Sequence, residues 1–185
     1  MRRGQLSSHN PYDVPFRKKL EDPYLNSVAY TDSCLGDFIK KLKQTEVWKN
    51  TVVVLVPDHA MRYPYDIDNR AVDRYKIPLV IIGGALSSKG RIEAYGSQID
   101  IAATLLAQLG VEHSAFKYSK NMMDASSPHF GYFTFQNGFG MVTPENEYVF
   151  DCETGKEYVN TGRKSENKTK AEAFIQTLYN DIATK

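Results

Sequence analysis

A continuous run of β-branched and aliphatic residues, Thr51–Val56, constrains the fold of this chain more than any other segment. A strand that is apolar on both faces belongs inside a parallel sheet that helices cover. An amphipathic helix is predicted before this strand, over about residues 23–44, and a second apolar strand after it, over Ile77–Ile82. A further helix is predicted over residues 99–109. This order predicts an α/β fold built on a partial doubly wound, mainly parallel sheet.

Capping residues define the predicted ends of both helices. Asp22 followed by Pro23 is typical of a helix start, with the aspartate as N-cap and the proline at the first helical position. Ser97 is the predicted cap of the second helix, and Gly110 is its predicted end. These signals are local, so they predict where each helix begins and ends without reference to the rest of the chain.

The pattern changes after Gly110 and predicts a different architecture. Residues 130–150 alternate aromatic and polar side chains between turn signals, which indicates a small antiparallel meander. Residues 151–170 are polar, and Ala171–Ile182 has the apolar spacing of a terminal amphipathic helix. We therefore predict an α/β domain over residues 1–125 and a small subdomain over residues 126–185 that packs on it.

Charge and composition exclude several classes of function. Lys and Arg number 23 against 22 for Asp and Glu, so nothing predicts a nucleic-acid groove or a polybasic membrane patch. No apolar run reaches the ~20 residues of a membrane span. The two cysteines, Cys34 and Cys152, match no metal-ligand spacing. The start at Met1 resembles that of an excised segment, so we expect any export signal or anchor to lie outside this sequence.

The strongest candidates for catalytic or metal-binding residues are Asp58 and His59, directly after the most apolar strand. Ligand sites in open α/β sheets form beyond the carboxyl ends of the strands. An oxygen ligand beside an imidazole suits zinc, manganese or a similar divalent ion. The alternative is structural, with the aspartate capping a loop and the histidine satisfied by hydrogen bonds. Such short motifs match often by chance, so the dipeptide alone favours that alternative.

Four segments in order over residues 6–110 resemble the sulfatase family, and within it the branch of lipoteichoic-acid synthases and related phosphoglycerol or phosphoethanolamine transferases. The first is Leu6–Tyr12, with the pattern S-x-H-x-P-Y, and the second is Tyr24–Asp32, with the pattern Y-x-x-S-V-x-Y-x-D. The third is Asp58 and His59 after their strand. The fourth is Ile77–Ile81 followed by Gln98–Leu106. The last segment is close to the family's D-[IV]-x-P-T-L-L, with Ala103 in place of proline. Each segment is short, but the ordered set is specific.

The resemblance implies roles for Asp58, His59 and His9, and the position of Arg62 indicates a role for a fourth residue. Asp58 and His59 match two of the family's ligands for a divalent metal, which would be manganese, magnesium, calcium or zinc. His9 matches a histidine that contacts the phosphate or sulfate head of the substrate, and its setting favours the transferase branch. Arg62 follows the metal pair and is suited to bidentate pairing with an anionic oxygen. The alternatives are a loop histidine in water for His9 and a solvated loop arginine for Arg62.

The resemblance also implies a function for the parent protein. It would be a metal-dependent sulfuric ester hydrolase or a phosphoglycerol or phosphoethanolamine transferase, acting on a glycolipid or polysaccharide in the periplasm or at the cell surface, with a membrane anchor. The family's nucleophile and a further acidic ligand would lie in a preceding N-terminal half, so this chain alone would have an incomplete metal site and no activity. The alternative is a non-catalytic binding or structural module that retains the fold.

Overall fold

The computed structural model describes residues 10–15, 20–60, 63, 66–162 and 167–184. It divides into two compact units. The first comprises residues up to Leu55 together with Leu79–Lys89, and the second comprises Val56–Pro78 and Gly90–Lys185. The predicted domain boundary at residue 125 stays a prediction. None of the described helices is long and apolar enough to cross a membrane.

The first unit begins with the predicted long helix, α1, over Pro23–Lys43. Its N-terminus is capped as the sequence indicates, because the Asp22 carboxylate accepts a hydrogen bond of 3.1 Å from the backbone N–H of Leu25. Such a cap contributes about 1 kcal/mol to helix stability. Three lysines occupy the last turn, where they face the negative end of the helix dipole. A short 3-10 helix, Glu46–Asn50, then leads into the first strand.

The two strands of the first unit pair antiparallel, which corrects the expected parallel sheet. β1 spans Val53–Leu55 and β2 spans Val80–Ile82, with Val53 opposite Ile82 and Leu55 opposite Val80. An apolar run indicates burial but carries no information on strand direction. Parallel neighbours need a long crossover, usually helical, and the described part of the connection holds only a short 3-10 helix. β1 is half-buried rather than fully buried, and no other described strand pairs with it.

Gly83 follows the last residue of β2. Its φ of 152° lies in a region that side chains rarely adopt, and a Cβ there would collide with the carbonyl oxygen of Thr51. Glycine therefore allows the chain to leave β2 in close contact with the segment that leads into β1.

The second unit contains two helices and a four-stranded antiparallel sheet in the order β3-β4-β5-β6. Its elements are α2 (Asp100–Gln108), β3 (Gly131–Phe135), β4 (Gly138–Val142), β5 (Asn146–Asp151), β6 (Lys156–Gly162) and α3 (Asn167–Ala183). The predicted meander is present, and Asn137 has the left-handed backbone, φ 61°, of its first turn. The strand β6 was not predicted, because most of its side chains are exposed and polar.

The predicted end of α2 is confirmed, whereas its predicted N-terminal cap is wrong. Gly110 ends the helix as predicted, with a φ of 66°. The N–H of Gly110 donates to Ala107 and that of Val111 to Leu106, which is the Schellman arrangement. The predicted cap by the Ser97 side chain is wrong, since α2 has no side-chain cap at Ile99. The Ser97 hydroxyl is bonded to β3 instead.

Both faces of the meander are covered. On one face Phe139, Met141 and Tyr148 pack against Ala171 and its neighbours in α3. On the other face Val142 and Val149 pack against Val72. Val72 belongs to a 3-10 helix, Val72–Tyr75, in the connection between β1 and β2. The ring of Tyr75 stacks on that of Phe133, with centroids 4.0 Å apart, so this segment is part of the core.

Candidate metal site

Asp58 and His59 form an exposed turn in which one hydrogen bond orients each side chain. Oδ1 of Asp58 accepts from the backbone N–H of His59 at 3.0 Å. Nδ1 of His59 lies 3.0 Å from the carbonyl oxygen of Ala60. Because a carbonyl oxygen can only accept, this contact assigns the ring proton to Nδ1 and leaves Nε2 as an acceptor.

The remaining atoms of the pair fit one divalent ion. Oδ2 of Asp58 and Nε2 of His59 are 3.8 Å apart, and the two side chains are 84% and 70% exposed. Two ligands that each lie about 2 Å from one ion can be up to about 4 Å apart, so the observed separation allows both to bind together. A histidine ligand that donates its other ring N–H to a carbonyl is the usual arrangement at metal sites. The geometry is therefore compatible with both the ligand and the structural interpretation, and the metal role of the pair stays a prediction.

A third residue, Gln98, holds the backbone of this turn. Its side-chain Nε2 lies 2.6 Å from the carbonyl oxygen of Pro57 and 3.1 Å from that of Asp58. Gln98 precedes α2, forty residues further along the chain. The turn and the start of α2 are therefore joined by side-chain hydrogen bonds.

The start of α2 is itself fixed by residues on both sides of Gln98. The hydroxyl of Ser97 donates to the carbonyl oxygen of Tyr132 at 3.0 Å and accepts from its N–H at 2.7 Å. Asp100 is fully buried, and both of its oxygens lie 2.8 Å from Nζ of Lys120. The backbone N–H groups of Ser97 and Lys120 also donate to this carboxylate. Breaking a buried ion pair is strongly destabilising, so this pair holds the local backbone in place.

The segment after the turn is attached to the meander by Arg70. Its guanidinium donates to Asp68 at 2.9 Å and to Asp151 of β5 at 3.4 Å, and it lies over the ring of Tyr158. The pKa of Asp151 is held below its usual value, mainly because the backbone N–H of Thr154 donates to the carboxylate and further because Arg70 lies beside it. The pair of Arg70 and Asp151 connects the segment after the turn to β5, so its role is structural.

Two of the predicted site residues, His9 and Arg62, lie outside the described residues, so their predicted roles stay predictions. Within the described ranges, no group of three or more His, Cys, Asp or Glu side chains is placed to hold a metal. The structure therefore describes two candidate ligands, Asp58 and His59.

The family model that matches this sequence is described as Sulfatase and covers residues 5–111, more than half of the chain. The chain belongs to the sulfatase family. The matched range includes the Asp58–His59 turn, Gln98 and all of α2, whereas Lys120, Tyr132 and Asp151 follow it. The meander and α3 follow it.

Sequence relatives of the chain include a lipoteichoic acid synthase and a phosphoglycerol transferase. Lipoteichoic acid synthase 1 of Bacillus subtilis is 26% identical, over 96% of this chain and 32% of its own length. Phosphoglycerol transferase I of Xanthomonas axonopodis pv. citri is 23% identical, over 56% of this chain and 15% of its own length. The chain thus spans about a third or less of these curated relatives.

A solved structure from the alkaline phosphatase superfamily, from Vibrio parahaemolyticus, shares the fold. It superposes with a TM-score of 0.71 and 22% identity, over 95% of this chain and 48% of that chain. The α/β class predicted from the sequence is thereby confirmed. The superposition extends over most of the chain, so the meander and α3 belong to the shared fold.

The sequence pointed to Asp58 and His59 as candidate ligands but did not reveal the residues that contact their turn. Gln98 and Ser97 lie in a segment recognised by its resemblance to the family, yet nothing in the pattern indicated that Gln98 contacts the turn. Lys120 is one of two lysines in a polar stretch, and nothing in the pattern distinguishes it from Lys117. The available signal was Asp100, because an aspartate at the start of a buried helix requires a partner.

Proposed function

We propose that this chain is the metal-binding C-terminal part of a sulfatase-family phosphotransferase that acts on phosphoglycerol esters. The observation that carries the proposal is the pair of candidate ligand atoms, Oδ2 of Asp58 and Nε2 of His59, which lie 3.8 Å apart on an exposed turn. The relatives named lipoteichoic acid synthase and phosphoglycerol transferase support phosphate rather than sulfate chemistry.

Each residue of the turn has a distinct part in the proposed site. Asp58 supplies negative charge and an oxygen ligand, and His59 supplies a neutral nitrogen ligand whose ring is oriented by Ala60. The chemistry that a bound divalent ion supplies there is neutralisation of charge on the ester oxygens and activation of a hydroxyl nucleophile. His9 and Arg62 are assigned, from the sequence alone, to contact with the tetrahedral phosphate group.

The proposed partner of this chain is a preceding half of the same domain, which supplies the nucleophile and further metal ligands. Apolar side chains of the first unit are exposed to water in this chain, including Leu25, Val28 and Phe38 on α1. Exposed apolar surface of this kind is typical of a face that another segment covers. By relation to the named transferases, we place the parent protein outside the cytoplasm, on a membrane anchor, with a glycolipid or polysaccharide substrate.

The proposal is tested by comparing this chain with the full product of its gene. We expect the 185-residue chain to bind Mn²⁺ weakly in calorimetry and to release no chromophore from an aryl ester of phosphoglycerol. A catalytic zinc ion typically has about three protein ligands. The two candidate ligands in this chain are fewer than that. The full product should hydrolyse the phosphoglycerol ester in a metal-dependent way and should leave the matching aryl sulfate intact.

Substitutions separate the site from the fold in this test. Asp58→Ala and His59→Ala should each abolish turnover by the full product, whereas His113→Ala, at a half-buried histidine that the proposal does not use, should leave it unchanged. Tight one-to-one Mn²⁺ binding with turnover by the 185-residue chain would contradict the proposal that it is part of a larger domain. Turnover that survives Asp58→Ala would contradict the metal assignment.

A further inference from the structure

The hydrogen bonds from Gln98 act on the two peptide planes that flank the Cα of Asp58. The carbonyl of Pro57 belongs to the plane before this atom and the carbonyl of Asp58 to the plane after it, and both accept from Nε2 of Gln98. Peptide units are planar, so a residue has only the two soft dihedrals that relate its flanking planes. Holding both planes therefore fixes the backbone of Asp58 and the direction in which its side chain leaves the chain.

The same contact extends to the carboxylate and to His59. The peptide plane after Asp58 carries the N–H of His59, and that N–H donates to Oδ1 of Asp58. Fixing this plane therefore orients Oδ1 and leaves Oδ2 directed toward Nε2 of His59. One side chain thus fixes the relative placement of both candidate ligand atoms.

Gln98 is suited to this role by its two N–H donors and by the hydrogen bonds that hold its neighbours in the chain. Its amide nitrogen carries two N–H donors, which is the number needed for two carbonyl acceptors. The residues around it are held, Ser97 by two hydrogen bonds to Tyr132 of β3 and Asp100 by Lys120. A continuous series of contacts therefore connects the meander to the Asp58–His59 turn.

We propose that Gln98 is a positioning residue for the divalent metal, and that through it the C-terminal meander sets the geometry of the Asp58–His59 turn. This inference rests on the proposed metal role of that pair. Partners that orient metal ligands without touching the ion typically change metal affinity about 10–100-fold when they are mutated. Gln98 is exposed, so water competes for the same carbonyls, and we expect an effect at the low end of that range.

The experiment is a Mn²⁺ titration of the ¹⁵N-labelled 185-residue chain, followed by NMR. Bound Mn²⁺ broadens the amide signals of nearby residues, so weak binding is measurable without any enzymatic activity. Gln98→Met keeps much of the side-chain volume and removes both donors. Its matched control is Gln108→Met, at the exposed opposite end of α2. Amide hydrogen exchange of His59 and the urea midpoint are measured on the same samples.

The expected result is broadening centred on His59 and Ala60, with a midpoint about tenfold higher in Gln98→Met. Gln108→Met should match the wild type, and the urea midpoints of all three should agree. Faster exchange of the His59 amide in Gln98→Met alone would support the same conclusion, because that N–H is held by the oriented carboxylate.

Two results would overturn the inference in distinguishable ways. Equal Mn²⁺ midpoints and equal His59 exchange in wild type and Gln98→Met would show that Gln98 positions nothing, while the proposed function would stand. No broadening near Asp58 in the wild type at any Mn²⁺ concentration would overturn the proposed metal role, and the metal role of Gln98 with it. Exchange at His59 would then report whether the contact itself orders the turn.

Discussion

Tyr148 lies in the core of the meander, where its hydroxyl group destabilises the folded state. The residue is fully buried, and its hydroxyl has no hydrogen-bond partner among the described residues. Burial raises the pKa of this phenol to about 12, with smaller contributions from the nearby carboxylates of Glu157 and Glu172. Burying a hydroxyl without a partner costs about 1–3 kcal/mol relative to leaving it in water. The ring is therefore favourable for packing, and the hydroxyl is not.

We predict that Tyr148→Phe leaves the free energy of unfolding at pH 7 unchanged or raises it by about 1 kcal/mol, because it removes the unpaired hydroxyl and keeps the ring. In the wild type the phenol titrates near pH 10 when unfolded and higher when folded, so stability is present below pH 10 and is lost as pH rises toward 12. The variant should lose less stability over that interval. Urea unfolding at pH 7 and pH 11 measures both effects.

The control for this substitution is Tyr179→Phe, because Tyr179 is 64% exposed on α3. It should show no change at either pH. A clear loss of stability in Tyr148→Phe at pH 7 would contradict the account, since it would mean that the hydroxyl is bonded in the folded protein.

At the scale of elements, the anchoring of α2 depends on where an ion pair is placed. The pair of Lys120 with Asp100 and the pair of Lys168 with Glu157 have the same separation, 2.8 Å. The Asp100 side chain is fully buried and Lys120 is 13% exposed, whereas Lys168 and Glu157 are 50% and 36% exposed. Removing one partner of a buried pair leaves an uncompensated charge in a low-dielectric site, but an exposed partner is solvated by water.

We therefore predict that Lys120→Met lowers the free energy of unfolding by about 3 kcal/mol or more. The matched substitution Lys168→Met should leave the urea midpoint unchanged within error, because Glu157 remains hydrated. Chemical denaturation at pH 7 compares the two variants directly. Equal effects of the two substitutions would show that the Asp100 carboxylate is not buried as described.

Elements with local signals were predicted well from the sequence, and those that depend on distant partners were not. Asp22 and Pro23 identified the start of α1, and Gly110 identified the end of α2, because each signal acts within one turn of helix. The direction of β2 relative to β1 could not be predicted, since both strands are short and apolar in either orientation. The strand β6 was missed because its exposed side chains lack the alternation of a half-buried strand.

At the scale of the whole molecule, the sequence could single out candidate site residues but not the contacts that hold them. Asp58 and His59 were found from their place after an apolar strand and from the resemblance to sulfatases. The bonds from Gln98 span forty residues and depend on the folded path of the chain. The assignments of His9 and Arg62 stay predictions from sequence.

The measurement that tests the central claim most directly is anomalous diffraction at the manganese edge. Crystals of the chain would be soaked in Mn²⁺ well above the weak affinity expected. The account predicts an anomalous peak within about 2–2.3 Å of both Oδ2 of Asp58 and Nε2 of His59, and no such peak in Asp58→Ala crystals. A peak only at other residues, or a turn in which the two side chains point apart and bind no ion, would contradict it.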